Sequence, residues 1–478
     1  MRYTETQILE KAEILDAGSE GMAIAKVDDM VVFVPFVVPG DIVDIRIIRK
    51  KKSYAEGRAV FFHHYSERRT EPWCRHFGTC GGCRWQNMKY EDQLYFKQKQ
   101  VSDNLIRIGK LVNPAIMCIL PSPSITHYRN KLDFTFSNHR WLTDEDVTDE
   151  GKVADTNAVG FHVPGFWDKV VDIEECFHMP EPSNALRNAA REYALQNGLS
   201  FYDARKHTGF LRNLIVRITR NGGIMVILVV SGGKDEGLFP MLDYLAEQFT
   251  YLTSLYYIVN DKQNDTISDL DLHLYKGEPY ITEEMAPFRE GGQVVKFRIG
   301  PASFFQTNPA QAENLYRMAA DFAGLHDDAT VYDLYTGAGT IANYVAPYVK
   351  KVVGIESVAA AVEDAEANSA LNGITNTVFF AGETEKILSP EFFQGQGRPD
   401  IVITDPPRSG MHEKVVKAIL EAAPRRVVYV SCNPATQARD IAWMSEQYEF
   451  VHCRPVDMFP HTQHVENVAL LQRRDQTV

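Results

Sequence analysis

One cysteine in this chain stands where its thiol could act as a nucleophile. Cys432 directly follows the apolar run 427–431, whose composition is typical of a buried strand, and precedes Asn433 and Pro434. Thiols are often buried simply because cysteine packs as a small hydrophobe, so a structural role is the default interpretation. A chemical role requires partners, and these are sought at neighbouring strand ends because residues that follow parallel strands converge at one edge of a sheet.

Two other strand ends carry features of a nucleoside site. A glycine turn at 335–340 follows the run 330–334, and Glu356 ends the run 352–356. The turn allows a ligand to approach the backbone closely, and Glu356 is placed to accept hydrogen bonds from ribose hydroxyls. The sequence has neither a third glycine at the dinucleotide spacing nor a GK[ST] phosphate cradle. S-adenosylmethionine, a nucleoside without phosphate, is therefore the favoured ligand, although a lone glycine turn and an isolated acid are each weak signals.

A thiol and a nearby base together predict a specific reaction. Carbon 5 of uracil is a poor nucleophile, but a thiolate that adds to carbon 6 generates an enolate that can take a methyl group from a sulfonium. A base must then remove the carbon 5 proton. Glu466 is the best candidate base, with His461 and His464 as competitors and an exposed strand-end glutamate as the alternative. The loop 405–410, which contains two prolines, can shape the pocket for the target base.

The seven cysteines of the chain cluster in a way that indicates a metal or catalysis. A reducing compartment keeps thiols free, so a disulfide framework is not expected. Three soft ligands have the spacing C-x5-C-x2-C and a fourth lies further along: Cys74, Cys80, Cys83 and Cys176. Zinc and an iron–sulfur cluster accept the same four thiolates, and the spacing does not distinguish them. Cys118 and Cys453 are predicted to be core residues.

The elements that would position the thiol and its partners lie beyond residue 296. There the pattern alternates strands with helices, which predicts a parallel sheet. Five strands are expected in that alternation, at 330–334, 352–356, 378–380, 400–404 and 427–430. Two more, at 451–456 and 468–471, follow without an intervening helix. The outline is that of a doubly wound sheet of the methyltransferase type.

The first 295 residues read differently. Short strands at 11–14, 21–27, 30–34, 42–49 and 57–62 predict a small β-barrel. A helix is expected at 90–110, which looks structural, and another near 182–196. Strands at 132–136, 158–162, 170–173, 214–219 and 224–230 predict a mostly β central region. The acidic tract 143–155 is expected to be mobile, because low hydrophobicity and like charge do not offset ordering entropy.

Length and charge set broader limits. A chain of 478 residues predicts two or three domains. The formal net charge of −13, taken alone, argues against a nucleic-acid partner. Lysines and arginines nevertheless concentrate between Arg46 and Arg69, where a basic surface and a solvated charged loop are equally good interpretations. The first residues lack a signal pattern and no apolar run approaches the roughly 18 residues that span a bilayer, so a cytoplasmic location is expected.

Several motifs together resemble a known family. The segments FFQTN at 304–308, DLYTGAGT at 333–340, DPPRSG at 405–410, SCNP at 431–434 and HVE at 464–466 resemble those of RNA uracil-5-methyltransferases. The barrel, with Gly21, Ala23 and the segment Pro39-Gly40-Asp41, resembles the TRAM domain, an RNA-binding barrel of the OB type. The resemblance covers nearly the whole chain. It implies an RNA-binding barrel at 1–60, a central domain at 61–295 and a Rossmann-like methyltransferase domain at 296–478. Helix 90–110 belongs to the central domain in sequence but could pack on the catalytic domain.

The resemblance also implies roles for individual residues. Cys432 would be the nucleophile and Glu466 the general base. Four side chains would contact S-adenosylmethionine: Gln306, Tyr335, Glu356 and Asp405. The cysteine site would hold a [4Fe-4S] cluster, with zinc as the alternative, and the substrate would be 23S ribosomal RNA. Transfer RNA, an RNA cytosine-5-methyltransferase activity and a non-catalytic RNA-binding assembly factor are the competing hypotheses.

Overall fold

The protein is described here by a computed structural model that covers residues 7–143, 146, 155–232 and 237–474. Its strands form a closed barrel, a seven-stranded sheet, a two-stranded sheet and a second seven-stranded sheet. This arrangement confirms the predicted fold class of a β-barrel and a mostly β region followed by a doubly wound sheet. The acidic tract lies almost entirely outside the described residues. None of the described helices is long and apolar enough to cross a membrane.

The barrel contains all five predicted strands, in the order β1-β2-β3-β5-β4. Their bounds are β1 Ile8–Ala17, β2 Ala23–Val27, β3 Met30–Val34, β4 Ile42–Lys50 and β5 Tyr54–His64. Asp28 and Asp29 both have positive φ, as a two-residue hairpin turn between β2 and β3 requires. The alternation in β4 buries Val43 and Ile45, while its basic end is exposed at Arg46, Arg49 and Lys50.

One helix connects the barrel to the rest of the molecule. Helix α1 spans Tyr90–Arg107, close to its predicted extent. Val101 and Leu105 are fully buried in the same apolar cluster as Tyr332 and Tyr429 of the second large sheet. The helix therefore packs against the region that carries the strand-end cysteine.

The central sheet has the order β12-β11-β10-β9-β6-β7-β8. Its elements are β6 Lys131–Ser137, β7 Ala158–His162, β8 Val170–Asp172, α2 Ser183–Gln196, β9 Leu211–Ile218, β10 Ile224–Val230, α3 Leu238–Gln248, β11 Ser254–Val259 and β12 His273–Gly277. The pair β13 Ile281–Met285 and β14 Val295–Ile299 follows as a separate two-stranded sheet. The elements from α3 to β14 have no counterpart in the sequence prediction. The boundaries expected after residues 60 and 295 fall inside β5 and β14.

The second large sheet contains all seven strands predicted beyond residue 330. Its elements are α4 Pro309–Ala323, β15 Thr330–Leu334, α5 Thr340–Val345, β16 Lys351–Glu356, α6 Ala359–Leu371, β17 Thr377–Ala381, α7 Thr384–Ile387, α8 Pro390–Gln396, β18 Ile401–Thr404, α9 Glu413–Ala422, β19 Arg426–Ser431, α10 Pro434–Met444, β20 Tyr448–Val456 and β21 Glu466–Arg473. Strands β15 to β19 are parallel, and β21 inserts antiparallel between β19 and β20. The strand order reverses between β15 and β18, which is where such sheets bind ligands.

Candidate functional site

Two strand ends place the cysteine and the glutamate opposite each other. Strands β19 and β21 are antiparallel, with Ser431 paired to Asn467. Continuing that register by one residue sets Cys432 opposite Glu466. Directly opposed residues of an antiparallel pair have Cα atoms about 4.5–5.5 Å apart. The ladder therefore brings together the two residues for which the sequence predicted chemistry.

The turn after Cys432 is fixed to the proline loop that follows β18. Asn433 caps α10, because its side chain accepts a hydrogen bond from the amide of Ala435 at 3.1 Å and Pro434 is the first helical residue. The side-chain amide of Asn433 also donates to the carbonyl of Arg408 at 2.9 Å. The hydroxyl of Thr436 donates to the same carbonyl at 3.3 Å. The Asn-Pro pair therefore both starts a helix and holds the loop 405–410 beside the thiol.

A buried carboxylate of α10 fixes the end of that loop. Asp440 is fully buried and accepts hydrogen bonds from the amide of Met411 at 2.8 Å and the hydroxyl of Tyr429 at 2.7 Å. Gly410 has φ +78, and a Cβ there would lie 2.6 Å from the guanidinium of Arg439 and 2.8 Å from the carboxylate of Asp440. The loop ends at a glycine because a larger residue would displace this support. No sequence signal marked Asp440, which lies inside a helix.

The thiol of Cys432 has an unfavourable electrostatic environment for ionisation. Burial raises its pKa to about 11, and the nearby carboxyl groups of Glu466 and Asp405 add to that effect. The guanidinium of Arg408 acts in the opposite direction. Arg408 is the charged group that favours the thiolate. In the sequence it stands out only as part of the proline loop motif.

Glu466 and Asp405 lie in the same electrostatic cluster. Burial, with Asp405 as the second cause, raises the pKa of Glu466 to about 8, and Arg408 opposes that shift. Burial and the charge of Asp333 raise the pKa of Asp405 to about 7. Glu466 is only 5% exposed. The structure thus excludes the alternative of an exposed strand-end glutamate and gives a carboxylate that is a stronger base than a free one.

The two competing histidines are poor proton acceptors. Burial lowers the pKa of both His461 and His464 to about 4. For His464 the nearby cations Arg408, Lys97 and Arg129 strengthen the shift. The amide of His461 donates to the side chain of Gln93 at 2.8 Å. Both imidazoles are therefore weaker bases than the carboxylate of Glu466.

The glycine turn after β15 is closed by two carboxylates. Glu356 accepts a hydrogen bond from the amide of Gly337 at 3.1 Å. Asp333 accepts from the hydroxyl of Thr336 at 2.5 Å and from the amide of Ala342 at 3.0 Å. Its other oxygen is buried without a partner among the described residues, and burial raises its pKa to about 7. Asp333 is the first residue of the motif DLYTGAGT, and nothing in the sequence indicated its role.

The same turn leaves space above its backbone. Tyr335 has φ +64 and follows β15 directly. A Cβ built on Gly337 would meet no atom within 4 Å. The turn thus has an open side that a ligand can approach closely, as the sequence pattern indicated.

Gln306 lies between the two large sheets, in the segment that links β14 to α4. Its carbonyl accepts a hydrogen bond from the side chain of Asn130 at 3.2 Å. Asn308 caps α4 by accepting a hydrogen bond from the amide of Gln311 at 3.2 Å, and Pro309 is the first helical residue. Among the described residues, no hydrogen bond joins the side chain of Gln306 to Cys432.

The four clustered cysteines lie close to one another around a cavity that Cys432 does not line. They line one cavity together with aromatic and histidine side chains: Cys74, Cys80, Cys83 and Cys176. Burial raises the pKa of Cys80 to about 11 and that of Cys176 to about 12, and the charge of a Cys74 thiolate adds to both shifts. Across the described part of the chain, however, no group of three or more His, Cys, Asp or Glu side chains is arranged to hold a metal ion. The predicted metal site is therefore not shown by the structure.

The two remaining cysteines differ from each other. Cys453 is buried in β20, as predicted. Cys118 is exposed, so the prediction that it belongs to the core is wrong. It lies in an extended segment beside β20, where the neighbouring carbonyl of Ala115 and amide of Met117 bond to Cys453.

Comparisons with known proteins agree with this arrangement. A family model described as tRNA (Uracil-5-)-methyltransferase matches residues 273–474, and the TRAM domain matches residues 10–60. The chain is 52% identical over 459 residues to an uncharacterized RNA methyltransferase of Bacteroides thetaiotaomicron, across 95% of this chain and 100% of that protein. It is 50% identical over 468 residues to another from Porphyromonas gingivalis, across 96% and 99%.

A solved structure extends the likeness to three dimensions. The crystal structure of Pyrococcus abyssi tRNA (uracil-54, C5)-methyltransferase, in complex with S-adenosyl-L-homocysteine, superposes with a TM-score of 0.71 and 29% sequence identity. The match covers 96% of this chain and 100% of that one. The relatives, the two family models and the solved structure thus all indicate the same kind of protein as the site does. The chain belongs to the RNA uracil-5-methyltransferase family and is an RNA methyltransferase with an N-terminal TRAM domain.

Proposed function

We propose that this enzyme methylates carbon 5 of a uridine in RNA, with S-adenosylmethionine as the methyl donor and a covalent adduct between Cys432 and the uracil ring. The observation that carries the proposal is the placement of Cys432 opposite Glu466 at the end of the β19–β21 ladder, beside Asp405 and Arg408. A thiol and a buried carboxylate at one strand edge are what carbon 5 methylation requires.

The chain's residues divide the reaction between them. The sulfur of Cys432 bonds to carbon 6 of uracil as the thiolate, whose charge Arg408 favours. Carbon 5 of the enolate then bonds to the methyl group of the bound donor, and the electrons of the broken methyl–sulfur bond remain on the donor's sulfur, which loses its positive charge. Glu466 removes the remaining proton from carbon 5, and the electrons of that bond expel the thiolate from carbon 6. The ring returns to its aromatic form with a methyl group, and Glu466 holds the proton. The uridine must leave its stack to reach both groups.

The donor site fits the same edge of the sheet. The open side of the glycine turn and the carboxylate of Glu356 suit the amino-acid and ribose parts of S-adenosylmethionine. The unpartnered oxygen of Asp333 suits a hydrogen-bond donor at that place. We propose Gln306, Tyr335 and Asp405 as further contacts. The S-adenosyl-L-homocysteine complex of the Pyrococcus relative supports this choice of donor.

We propose 23S ribosomal RNA as the target, as the resemblance of the motifs implies. Transfer RNA is the second candidate, because the Pyrococcus relative is a tRNA (uracil-54, C5)-methyltransferase. We expect 5-methyluridine to disappear from the ribosomal RNA of cells that lack the protein. Nucleoside analysis of separated ribosomal and transfer RNA measures this directly.

In cells that lack the protein, loss of 5-methyluridine from transfer RNA alone would move the target to transfer RNA. Purified enzyme with radiolabelled donor then identifies the product. A 5-methylcytidine product would replace the proposal with cytosine-5 methylation, and the absence of any labelled nucleoside would favour a non-catalytic RNA-binding factor. We further propose that the enzyme works in the cytoplasm and that its chain has three domains, 1–60, 61–295 and 296–478, whose junctions shift to the ends of β5 and β14.

The cysteine cavity is proposed to hold a [4Fe-4S] cluster, with zinc as the alternative. The proposal is supported by the type of ligand, since four thiols line one cavity and would repel one another as thiolates, a repulsion that a bound cation relieves. We expect anaerobically purified protein to contain iron and sulfide in equal amounts and to absorb visible light. The variant Cys80→Ser should lose both, while Cys118→Ser, at an exposed cysteine outside the cavity, should keep them. Zinc without colour would select the alternative, and neither metal would contradict the proposal.

A further inference from the structure

The loop that leads into Glu466 is unusually well buried for a hairpin connection. It joins β20 to β21 over residues 457–465, and most connections of this kind lie on the surface. Here Asp457 and Met458 are fully buried, and His461 and Val465 are nearly so. Some other element must therefore satisfy the polar groups of this loop and fix its path.

A buried ion pair from α1 meets the start of the loop. The ammonium of Lys97 lies 2.5 Å from the carboxylate of Asp457, and both side chains are 0% exposed. The same ammonium donates to the carbonyl of Phe459 at 3.0 Å. The hydroxyl of Tyr90, the first residue of α1, donates to the second oxygen of Asp457 at 2.7 Å. Two residues of one helix thus hold one carboxylate at both oxygens.

A second polar residue of the same helix meets the middle of the loop. Gln93 is fully buried. Its carbonyl oxygen accepts from the amide of His461 at 2.8 Å, and its amide donates to the carbonyls of Trp85 at 3.0 Å and Met88 at 2.8 Å. The loop carbonyl of His461 accepts in turn from the amides of Arg84 and Trp85 at 2.9 and 3.0 Å.

These contacts determine geometry more than stability. Replacing a buried ion pair by neutral groups of similar shape is often neutral or stabilising, because desolvating two charges offsets their attraction. Such a pair does, however, allow few alternative arrangements, since a displaced charge would be left unpaired. Helix α1 is itself held against the catalytic sheet by Val101 and Leu105. It is therefore a rigid support from which the loop is held.

We infer that α1 positions the general base: Gln93 and Lys97 are positioning residues that hold the loop 457–465 and thereby the carboxylate of Glu466. The inference rests on the proposed function, in which Glu466 removes the carbon 5 proton. A displacement of about 1 Å at a reacting group can lower the rate about a hundredfold. Loss of the support should therefore slow proton removal and leave formation of the Cys432 adduct intact.

The test uses the full-length enzyme with Lys97→Met combined with Asp457→Asn, which removes both charges and keeps both shapes. We expect kcat to fall about 10- to 100-fold while the KM for the donor changes less than about threefold. The methylated RNA–protein adduct should accumulate in a denaturing gel, because its resolution is slowed. Gln93→Met is a second variant that leaves the ion pair in place and should show the same signature.

The matched control is Lys99→Met, the same change two residues along α1, where the lysine pairs with Asp16 and Asp103 instead of the loop. It should not accumulate adduct. If Glu466→Gln accumulates adduct while both α1 variants turn over without it, the inference is wrong and the proposed function stands. If Glu466→Gln itself gives no adduct, the proposed base is wrong. Equal losses of adduct formation and turnover in the α1 variants would show a merely structural role and also contradict the inference.

Discussion

Replacing Cys432 with alanine is expected to lower methyl transfer to RNA by at least about a thousandfold, because without the sulfur carbon 5 of uracil does not become nucleophilic. Donor binding should persist, since the glycine turn that follows β15 and Glu356 at the end of β16 belong to other strands than the thiol. Methyl transfer is measured with radiolabelled donor, and donor affinity by calorimetry.

Cys118→Ala is the control for general effects of losing a thiol, because Cys118 is exposed and outside both the cavity and the ladder. It should retain activity. Full activity in Cys432→Ala would contradict the covalent mechanism. Loss of donor binding along with activity would show instead that the substitution disturbs the loop 405–410, which is bonded to the turn after Cys432.

Replacing Glu466 with glutamine is expected to trap the reaction after methyl transfer. Glutamine fits the same buried place but does not take a proton from carbon 5, so the bond between Cys432 and carbon 6 persists. We expect turnover to fall about a hundred- to ten-thousandfold and an RNA-linked protein band to resist denaturation. The band is measured under single-turnover conditions, in which one adduct forms per active site.

The pH dependence distinguishes the glutamate from the histidines. The pKa of Glu466 is raised to about 8, so the fraction present as carboxylate increases as the pH rises from 7 to 9. Adduct resolution by the unmodified enzyme should therefore speed up over that interval. A histidine base with a pKa of about 4, as for His464, would already be unprotonated and would give a flat profile. A flat profile, with no adduct in Glu466→Gln, would move the base to another residue.

The convergence of the strand ends could be predicted from the sequence because short β-branched runs mark buried parallel strands clearly. Each run is followed by glycine, proline or polar residues that end the strand. Parallel strands end at one edge of the sheet, so these residues lie close together. That reasoning located Cys432, Glu356 and Asp405 without coordinates. It did not give the burial of Glu466, which depends on β21 inserting between β19 and β20.

Other parts of the fold could not be predicted, for identifiable reasons. Helix α3 contains Pro240, which argues against a helix but is tolerated here in the first turn. The parallel pair of β10 and β11 depends on that helix as its crossover. Helix α1 looked structural because its apolar residues are visible in the sequence, whereas the partner of Lys97 lies 360 positions away. A lysine on a helix is normally solvated, and only the fold shows that this one is buried.

The antiparallel ladder between β19 and β21 determines which length changes this enzyme can tolerate during evolution or engineering. Cys432 and Glu466 are set against each other by backbone pairing, so extra residues in the surface segment between α10 and β20 would leave their separation unchanged. One residue added or removed within β21 would be different. Side chains alternate between the faces of a strand, so such a slip would turn the glutamate to the opposite face of the sheet. Natural variation in chain length should therefore concentrate outside this ladder.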